Sequence, residues 1–214
     1  MSTFYFAAKA PIAGQVKTRL GRAIGMAAAA ALYAAFLEDL RHGFRDAAFE
    51  VAWYVAPAPW RGLHGARFRI QRGDGWAERQ SNLFRDAAAA GEGPIVLAAT
   101  DSPQVRPQRV EEAFDALREH DLVFGPTYDG GYYLVGMRAF QDVLSGVAMS
   151  TASALDGALA RARARALSVA LLAAEFDVDE EADLPALAAA THGRADLAAT
   201  AAALAGLRRD GAAA

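Results

Sequence analysis

Short apolar runs alternate along this chain with stretches of helical composition about 10–20 residues long, and no other sequence feature restricts the fold as strongly. Thr3 to Ala8 reads as a first strand. A loop containing Pro11 and Gly14 follows it, and then a helix from about Gly25 to His42. Glu50 to Val55 and Arg67 to Ile70 read as strands, while Trp60 to Leu63 between them is ambiguous. Trp76 to Ala89 is helical, Pro94 to Ala99 is a continuous apolar run suited to burial on both sheet faces, and Pro107 to Glu119 is a helix with proline near its start. Leu122 to Phe124, Tyr132 to Val135 and Ser168 to Leu172 complete the strands. Thr151 to Arg165 and two Ala-rich stretches within Asp183 to Leu207 complete the helices. The expected class is α/β, a mostly parallel sheet flanked by helices, with one antiparallel excursion at Asp129-Gly130.

The 214 residues suit a single domain spanning 1–214, with a flexible tail from Asp210 to Ala214. No apolar run reaches the ~18 residues of a membrane span, and the N-terminus lacks the pattern of a secretory signal. With no cysteine there is neither a disulfide framework nor a thiolate metal site, so the cytoplasm is the expected compartment. A formal charge of −3 argues against nucleic acid or an anionic membrane as partner. Four scattered histidines offer no zinc-site spacing. Lys9 and Lys17 are the only lysines, every other basic residue being arginine. Two compact point charges eight positions apart suit phosphate oxygens.

In open α/β sheets ligands sit beyond the carboxyl ends of the strands, and three segments after strands carry unusual residues. Lys9-Ala-Pro-Ile-Ala-Gly14-Gln-Val-Lys17-Thr18-Arg19-Leu20 places three cations in a loop, suited to a phosphate chain or to simple solvation. It is not a Walker A loop, since Val16 precedes Lys17-Thr18. Thr100-Asp101-Ser102-Pro103 ends the buried apolar run in a carboxylate, which points to a hard-cation ligand or to a turn. In Phe176-Asp177-Val178-Asp179-Glu180-Glu181-Ala182-Asp183, alternation puts Asp177 and Asp179 on one side, ready for Mg²⁺ or Mn²⁺. The competing reading makes Asp179 a helix cap, with Asp183 favourably placed in the helix's first turn. Tyr128-Asp129-Gly130-Gly131-Tyr132 reads as a hairpin turn or a substrate contact. Gly73-Asp74-Gly75-Trp76 with Glu78 and Arg79 suits contact with a base or sugar, or a cap by Asp74. Ser150-Thr151 suits helix capping or a substrate pocket.

Four motifs in order, FAAKAPIAGQVKTRL, ATDSP, DLVFGPTYDGGYYLVGM and FDVDEEADL, resemble those of the small bacterial transferases of the radical-SAM/selenodomain-associated type, relatives of phospholactate guanylyltransferase. The resemblance runs from Phe4 to Leu187. It implies a GT-A fold, the Rossmann-like nucleotide-diphospho-sugar transferase architecture. On that analogy Lys9, Lys17 and Arg19, with Gly14 and Thr18, hold nucleotide phosphates, and Asp101, Asp177 and Asp179 bind a divalent metal. Ala99 and Met149 replace the family's common Gly and Trp, and Asp129-Gly130-Gly131-Tyr132 departs from the guanylyltransferase's Gly-Gly-Thr pattern. Both phospholactate and GTP therefore stay open.

The expected reaction moves a nucleotidyl group from a nucleoside triphosphate to a small phosphorylated or carboxylated acceptor. Lys17, Asp101 and Arg19 would be catalytic, and Asp74, Glu78 and Arg79 would bind nucleotide. Asp129, Gly130, Gly131, Tyr132, Ser150 and Thr151 would line the substrate pocket. Glycosyl transfer from a nucleotide sugar is the alternative, and a non-enzymatic nucleotide-binding regulator a second. The Ala-rich C-terminal helices either pack on the core or form a homodimer interface.

Overall fold

The computed structural model describes residues 2–211. Strands β1 (Thr3–Lys9), β2 (Glu50–Ala56), β3 (Arg67–Ile70), β4 (Ile95–Ala99), β5 (Leu122–Pro126), β6 (Tyr132–Met137) and β7 (Val169–Leu171) form one sheet in the order β3-β2-β1-β4-β6-β5-β7. Neighbours pair parallel except around β6, which runs against both β4 and β5. That reversed strand is the excursion expected at Asp129. The fold is therefore α/β, with a mixed, mostly parallel sheet flanked by helices.

The helices are α1 (Thr18–Ile24), α2 (Met26–Gly43), α3 (Trp76–Ala89), α4 (Pro107–Glu119), α5 (Ala154–Ala164), α6 (Leu184–Thr191) and α7 (Ala198–Gly211). They cover both faces of the sheet, which is why β1 and β4 read as apolar runs without alternation. Phe4, Phe6 and Ala8 of β1 pack with Leu32 and Phe36 of α2, Val110 and Leu117 of α4, Leu187 of α6 and Leu204 of α7. Tyr5 and Ala7 face the other way, onto Leu83 and Phe84 of α3 and Ala158 of α5. Full burial of one such large side chain is worth about 1.5–3 kcal/mol. Among the described residues no helix is long and apolar enough to cross a membrane.

Three local expectations need correction. Thr18–Ile24 is helical rather than loop; only Leu20 and Gly21 of its seven residues are buried, too few to show as an apolar stripe. Gly25, at φ 91°, then breaks the chain between α1 and α2. The helix expected from Thr151 begins at Ala154, because Thr151 turns its hydroxyl back onto the Ala148 carbonyl at 2.8 Å. Of the expected tail, Asp210 and Gly211 complete α7, and 212–214 lie outside the described residues. The ambiguous segment resolves as a single 3₁₀ turn, Arg61–Leu63.

Two carboxylates, the buried Asp39 and the half-buried Glu92, fasten elements together. Asp39 of α2 accepts the backbone N–H of Ala199 at 3.0 Å and of Thr200 at 2.8 Å, capping α7 from another helix. Glu92, just ahead of β4, accepts from Tyr5 Oη at 2.7 Å, Arg67 Nη2 at 2.5 Å and Arg69 Nη2 at 2.6 Å. Burial pushes the Glu92 carboxyl up, but the Tyr5 and Arg69 hydrogen bonds and the two guanidinium charges outweigh it and hold its pKa below the ordinary value.

Asp39→Ala should cost about 1–2 kcal/mol by orphaning two helical N–H groups. That lowers the thermal midpoint by roughly 2–8 °C, read by circular dichroism. For Glu92 the folded pKa lies below the unfolded one, so its contribution is complete above the unfolded value and is lost as pH falls through the folded one. Glu92→Gln should therefore lower stability at neutral pH and flatten its decline below about pH 4.5, measured by urea unfolding from pH 7 to 3.

Candidate functional site

Strand order reverses between β1 and β4, and the segments leaving their carboxyl ends diverge around a cleft of about 620 Å³. Lys9 ends β1, Thr100 and Asp101 follow β4, and Thr127 and Asp129 follow β5. Lys17, Thr18 and Arg19 enter from the first loop, Asp177 and Asp179 from the segment after β7. Asp74 and Arg79, with Gly131, Tyr132, Ser150 and Thr151, line the remaining wall. Of the sequence-predicted residues, Gly14, Glu78 and Gly130 do not line the cleft but shape what does. Gly14, at φ 79°, completes a turn closed by Gln15 N–H on the Ile12 carbonyl at 3.0 Å. Glu78 accepts the Asp74 N–H at 2.8 Å.

The centre is an ion-pair cluster. Lys17 Nζ contacts Asp101 Oδ1 and lies 3.1 Å from Asp179 Oδ1, with its side chain only 4% exposed. Burial alone would depress the ammonium's pKa, but the charges of Asp101 and Asp179 outweigh it, so the pKa rises. Arg19 Nη1 stands on the solvent side, 4.0 Å from Asp179 Oδ2 and 3.8 Å from Glu180 Oε1. Lys17 is held in the left-handed region at φ 46°, ψ 42°, a conformation that costs a residue with a Cβ about 1–2 kcal/mol. Ser150, on the opposite wall, has φ 60°. Such strain collects where neighbouring contacts over-determine the backbone, a frequent feature of functional sites.

Main-chain contacts bring the acidic segments together. The Asp101 carbonyl accepts Val178 N–H at 3.0 Å, and the Phe176 carbonyl accepts from Ser102 Oγ at 2.9 Å and Gln104 Nε2 at 2.6 Å. Asp179 is not a helix cap: Glu180 and Asp183 form a capping box, and Asp183 Oδ2 accepts the N–H groups of Asp179 and Glu180 at 2.8 and 2.7 Å. The Asp179 carboxylate is thereby left to Lys17. Asp177 is pushed up to about 6, first by burial and then by the negative charges of Asp129, Asp179 and Asp101. Asp129 Oδ1 accepts from Thr127 Oγ1 at 2.5 Å and Gly131 N–H at 3.0 Å, an Asx-type turn.

These carboxylates fit a divalent cation in chemistry, since they are hard oxygen donors and their negative charge already destabilises the ionised Asp177. Their geometry in the free protein differs from the expected triad. Among the described residues no three His, Asp or Glu side chains converge as a ready-made metal site, and Asp101 and Asp179 close on Lys17 instead.

The capping alternatives for the remaining wall are not what the structure holds. Gly75, not Asp74, precedes α3, and neither Ser150 nor Thr151 caps α5, whose N-cap is Ser153. Arg79 donates through Nε to the Gly73 carbonyl at 2.9 Å, fixing the loop ahead of its own helix. Sequence reading passed over Tyr33, Gln71 and Thr127. Tyr33 lies within the apolar face of α2, where no signal separates it from core, yet its hydroxyl relays a buried chain. Lys9 N–H donates to Tyr33 Oη at 3.2 Å, Tyr33 to Thr100 Oγ1 at 2.7 Å, and Thr100 to the Ala7 carbonyl at 3.0 Å. Burial, reinforced by Asp101, pushes the Tyr33 phenol up to about 12, which keeps it a neutral donor.

Residues 43–151 match the model of a family described as "Uncharacterized protein conserved in bacteria (DUF2064)". No curated protein matches the chain. Among solved structures, a candidate nucleotide-diphospho-sugar transferase from Desulfovibrio desulfuricans G20 superposes with a TM-score of 0.88 at 29% identity, over 99% of this chain and 95% of that one. A nucleotidyl transferase from Methanothermobacter thermautotroptrophicus gives 0.54 at 17% identity, over 87% and 95% of the two chains. A cytidylyltransferase from Leptospira borgpetersenii gives 0.53 at 10%, over 99% and 95%. The last two identities establish likeness of fold alone, and that fold is the transferase architecture expected above.

Gly130 anchors the hairpin wall. It has φ 90°, a Cβ there would stand 2.0 Å from the Ala152 carbonyl oxygen, and its own carbonyl accepts Leu155 N–H at 3.2 Å. Gly130→Ala should cost about 1–3 kcal/mol and accelerate hydrogen exchange at the Leu155 amide by at least tenfold, read by NMR.

Proposed function

The chain belongs to the DUF2064 family of bacterial proteins, and from that premise we propose that it is a metal-dependent nucleotidyltransferase, moving a nucleoside monophosphate from a nucleoside triphosphate to a small phosphorylated or carboxylated acceptor. The observation that carries the reading is the meeting of three cations, Lys9, Lys17 and Arg19, with Asp101, Asp177 and Asp179 at the point where strand order reverses. A triphosphate chain needs many charge-assisted contacts, and this end of the cleft offers them. The ordered motif likeness to radical-SAM/selenodomain-associated transferases and to phospholactate guanylyltransferase supports the same class of reaction.

In this mechanism an acceptor oxygen attacks the α-phosphorus in line, a new P–O bond forms, and the bond to the bridging oxygen breaks as pyrophosphate leaves. Lys17, Arg19 and Lys9 neutralise charge growing on the phosphate oxygens. A divalent cation held by Asp101, Asp177 and Asp179 would add Lewis-acid neutralisation of the same oxygens. Asp74 and Arg79, beside Trp76, lie where they would contact base or ribose, and the Asp129 to Tyr132 turn with Ser150 and Thr151 would position the acceptor. Glycosyl transfer from a nucleotide sugar is the second reading, favoured by likeness to the Desulfovibrio structure. A three-cation loop suits a triphosphate better than a diphosphate, which favours the first.

Lys17→Ala and Asp101→Ala should each reduce turnover by about 10²–10³-fold, followed by pyrophosphate release. A thermal-shift panel of the four nucleoside triphosphates and of UDP-, GDP-, ADP- and CDP-sugars, with Mg²⁺, Mn²⁺ or EDTA, separates the two reactions. A ligand at 100 times its dissociation constant adds about 2.7 kcal/mol. A metal-dependent shift with one triphosphate supports nucleotidyl transfer, whereas a shift only with a nucleotide sugar would sink it.

A further inference from the structure

We infer that the Lys17 ammonium holds the divalent cation's place in the free protein, so that metal binds only when nucleotide phosphates draw Nζ away from Asp101 and Asp179. The inference rests on the proposal above that these two aspartates are cation ligands.

The geometry carries it. Nζ sits against both carboxylates, on Oδ1 of each, with the side chain 4% exposed, so an ion approaching those oxygens meets a charge already in contact with them. A cation displacing Nζ without offering it another anion would strand a desolvated ammonium, the least favourable outcome for a buried charge. Phosphate oxygens supply the missing anion. Lys9 and Arg19 flank the same cleft in more exposed positions and would meet an entering phosphate chain first. Lys17 also occupies a left-handed backbone position at the start of α1, with Gly21 N–H on its carbonyl at 2.7 Å. The backbone is thus fixed, and exchange needs only rotation of a long side chain.

The consequence is an order of binding in which metal follows, or accompanies, the nucleotide. Manganese binding without nucleotide, read from the EPR signal of free Mn²⁺, tests this on wild type, Lys17→Met, Lys17→Arg and Arg19→Met. Lys17→Met should bind Mn²⁺ at least tenfold more tightly than wild type, and Lys17→Arg no more tightly than wild type. Arg19→Met removes the same charge from the outer side of the cluster and should gain less than threefold, which separates occupancy of the place from net charge. A second measurement needs no variant: with only two lysines, ¹⁵N-lysine protein gives two ammonium signals. The Lys17 signal should stay in place with Mg²⁺ alone and move when Mg²⁺ is added with a mixture of the four nucleoside triphosphates. Equal Mn²⁺ affinity in wild type and Lys17→Met, or a Lys17 signal displaced by Mg²⁺ alone, overturns the exchange and leaves the metal reading standing. No Mn²⁺ bound by any of the four proteins, together with a Lys17 signal that Mg²⁺ and the triphosphates leave in place, overturns both.

Discussion

A single buried ammonium ties the functional end of the molecule together. Lys17 comes from the loop after β1, Asp101 from the end of β4 and Asp179 from the segment after β7; backbone and side-chain hydrogen bonds hold the two acidic segments together, and the charge at Nζ joins the first loop to both. A buried ion pair is a weak source of net stability, because desolvation consumes most of the Coulombic gain. Its value here is positional. Removing the charge would leave Asp101 and Asp179 without their shared cation, beside Asp177, whose pKa is raised first by burial and then by the negative charges of Asp129, Asp179 and Asp101.

The sheet makes this meeting possible. β1 and β4 are parallel neighbours, yet the chain leaves them in opposite directions, β1 toward β2 and β3, β4 toward β6, β5 and β7. The crevice opened by that divergence collects loops distant in sequence. Helices cover both faces, so the strand ends are the part of the sheet where polar side chains reach solvent without breaching the core. The reversed strand β6 adds a second wall, since its hairpin turn at Asp129 to Gly131 packs on the start of α5 through the Gly130 to Leu155 hydrogen bond.

Charge divides the cleft between its walls. Lys9, Lys17 and Arg19 stand on the β1 side, while Asp129 and Asp177 stand toward the hairpin with Tyr132, Ser150 and Thr151. Backbone strain falls on both walls, at Lys17 and Ser150, and Lys17 is held by its contacts with Asp101 and Asp179. Such an arrangement suits a reaction in which an anionic chain is clamped at one end and a second molecule is presented to it from the other.

Much of the fold was legible because periodicity is local. Trp76–Ala89, Pro107–Glu119 and Arg67–Ile70 are bounded as their composition implies, and the Asp-Gly signal located the reversed hairpin. The seven-residue α1 escaped because its buried surface comes from contacts with α2, not from an apolar stripe of its own. Most residues singled out for chemistry do line one cleft, since the rule that ligands gather at strand carboxyl ends can be applied to a linear reading. The sequence by itself determined the α/β class, the strand-end segments and the charges they carry. Only the tertiary structure decided that Lys17 closes on Asp101 and Asp179, and that Tyr33 of a core helix relays Lys9 to Thr100. Those choices depend on strand order and on the competition of several groups for one buried charge, and both are set by segments dozens of residues apart.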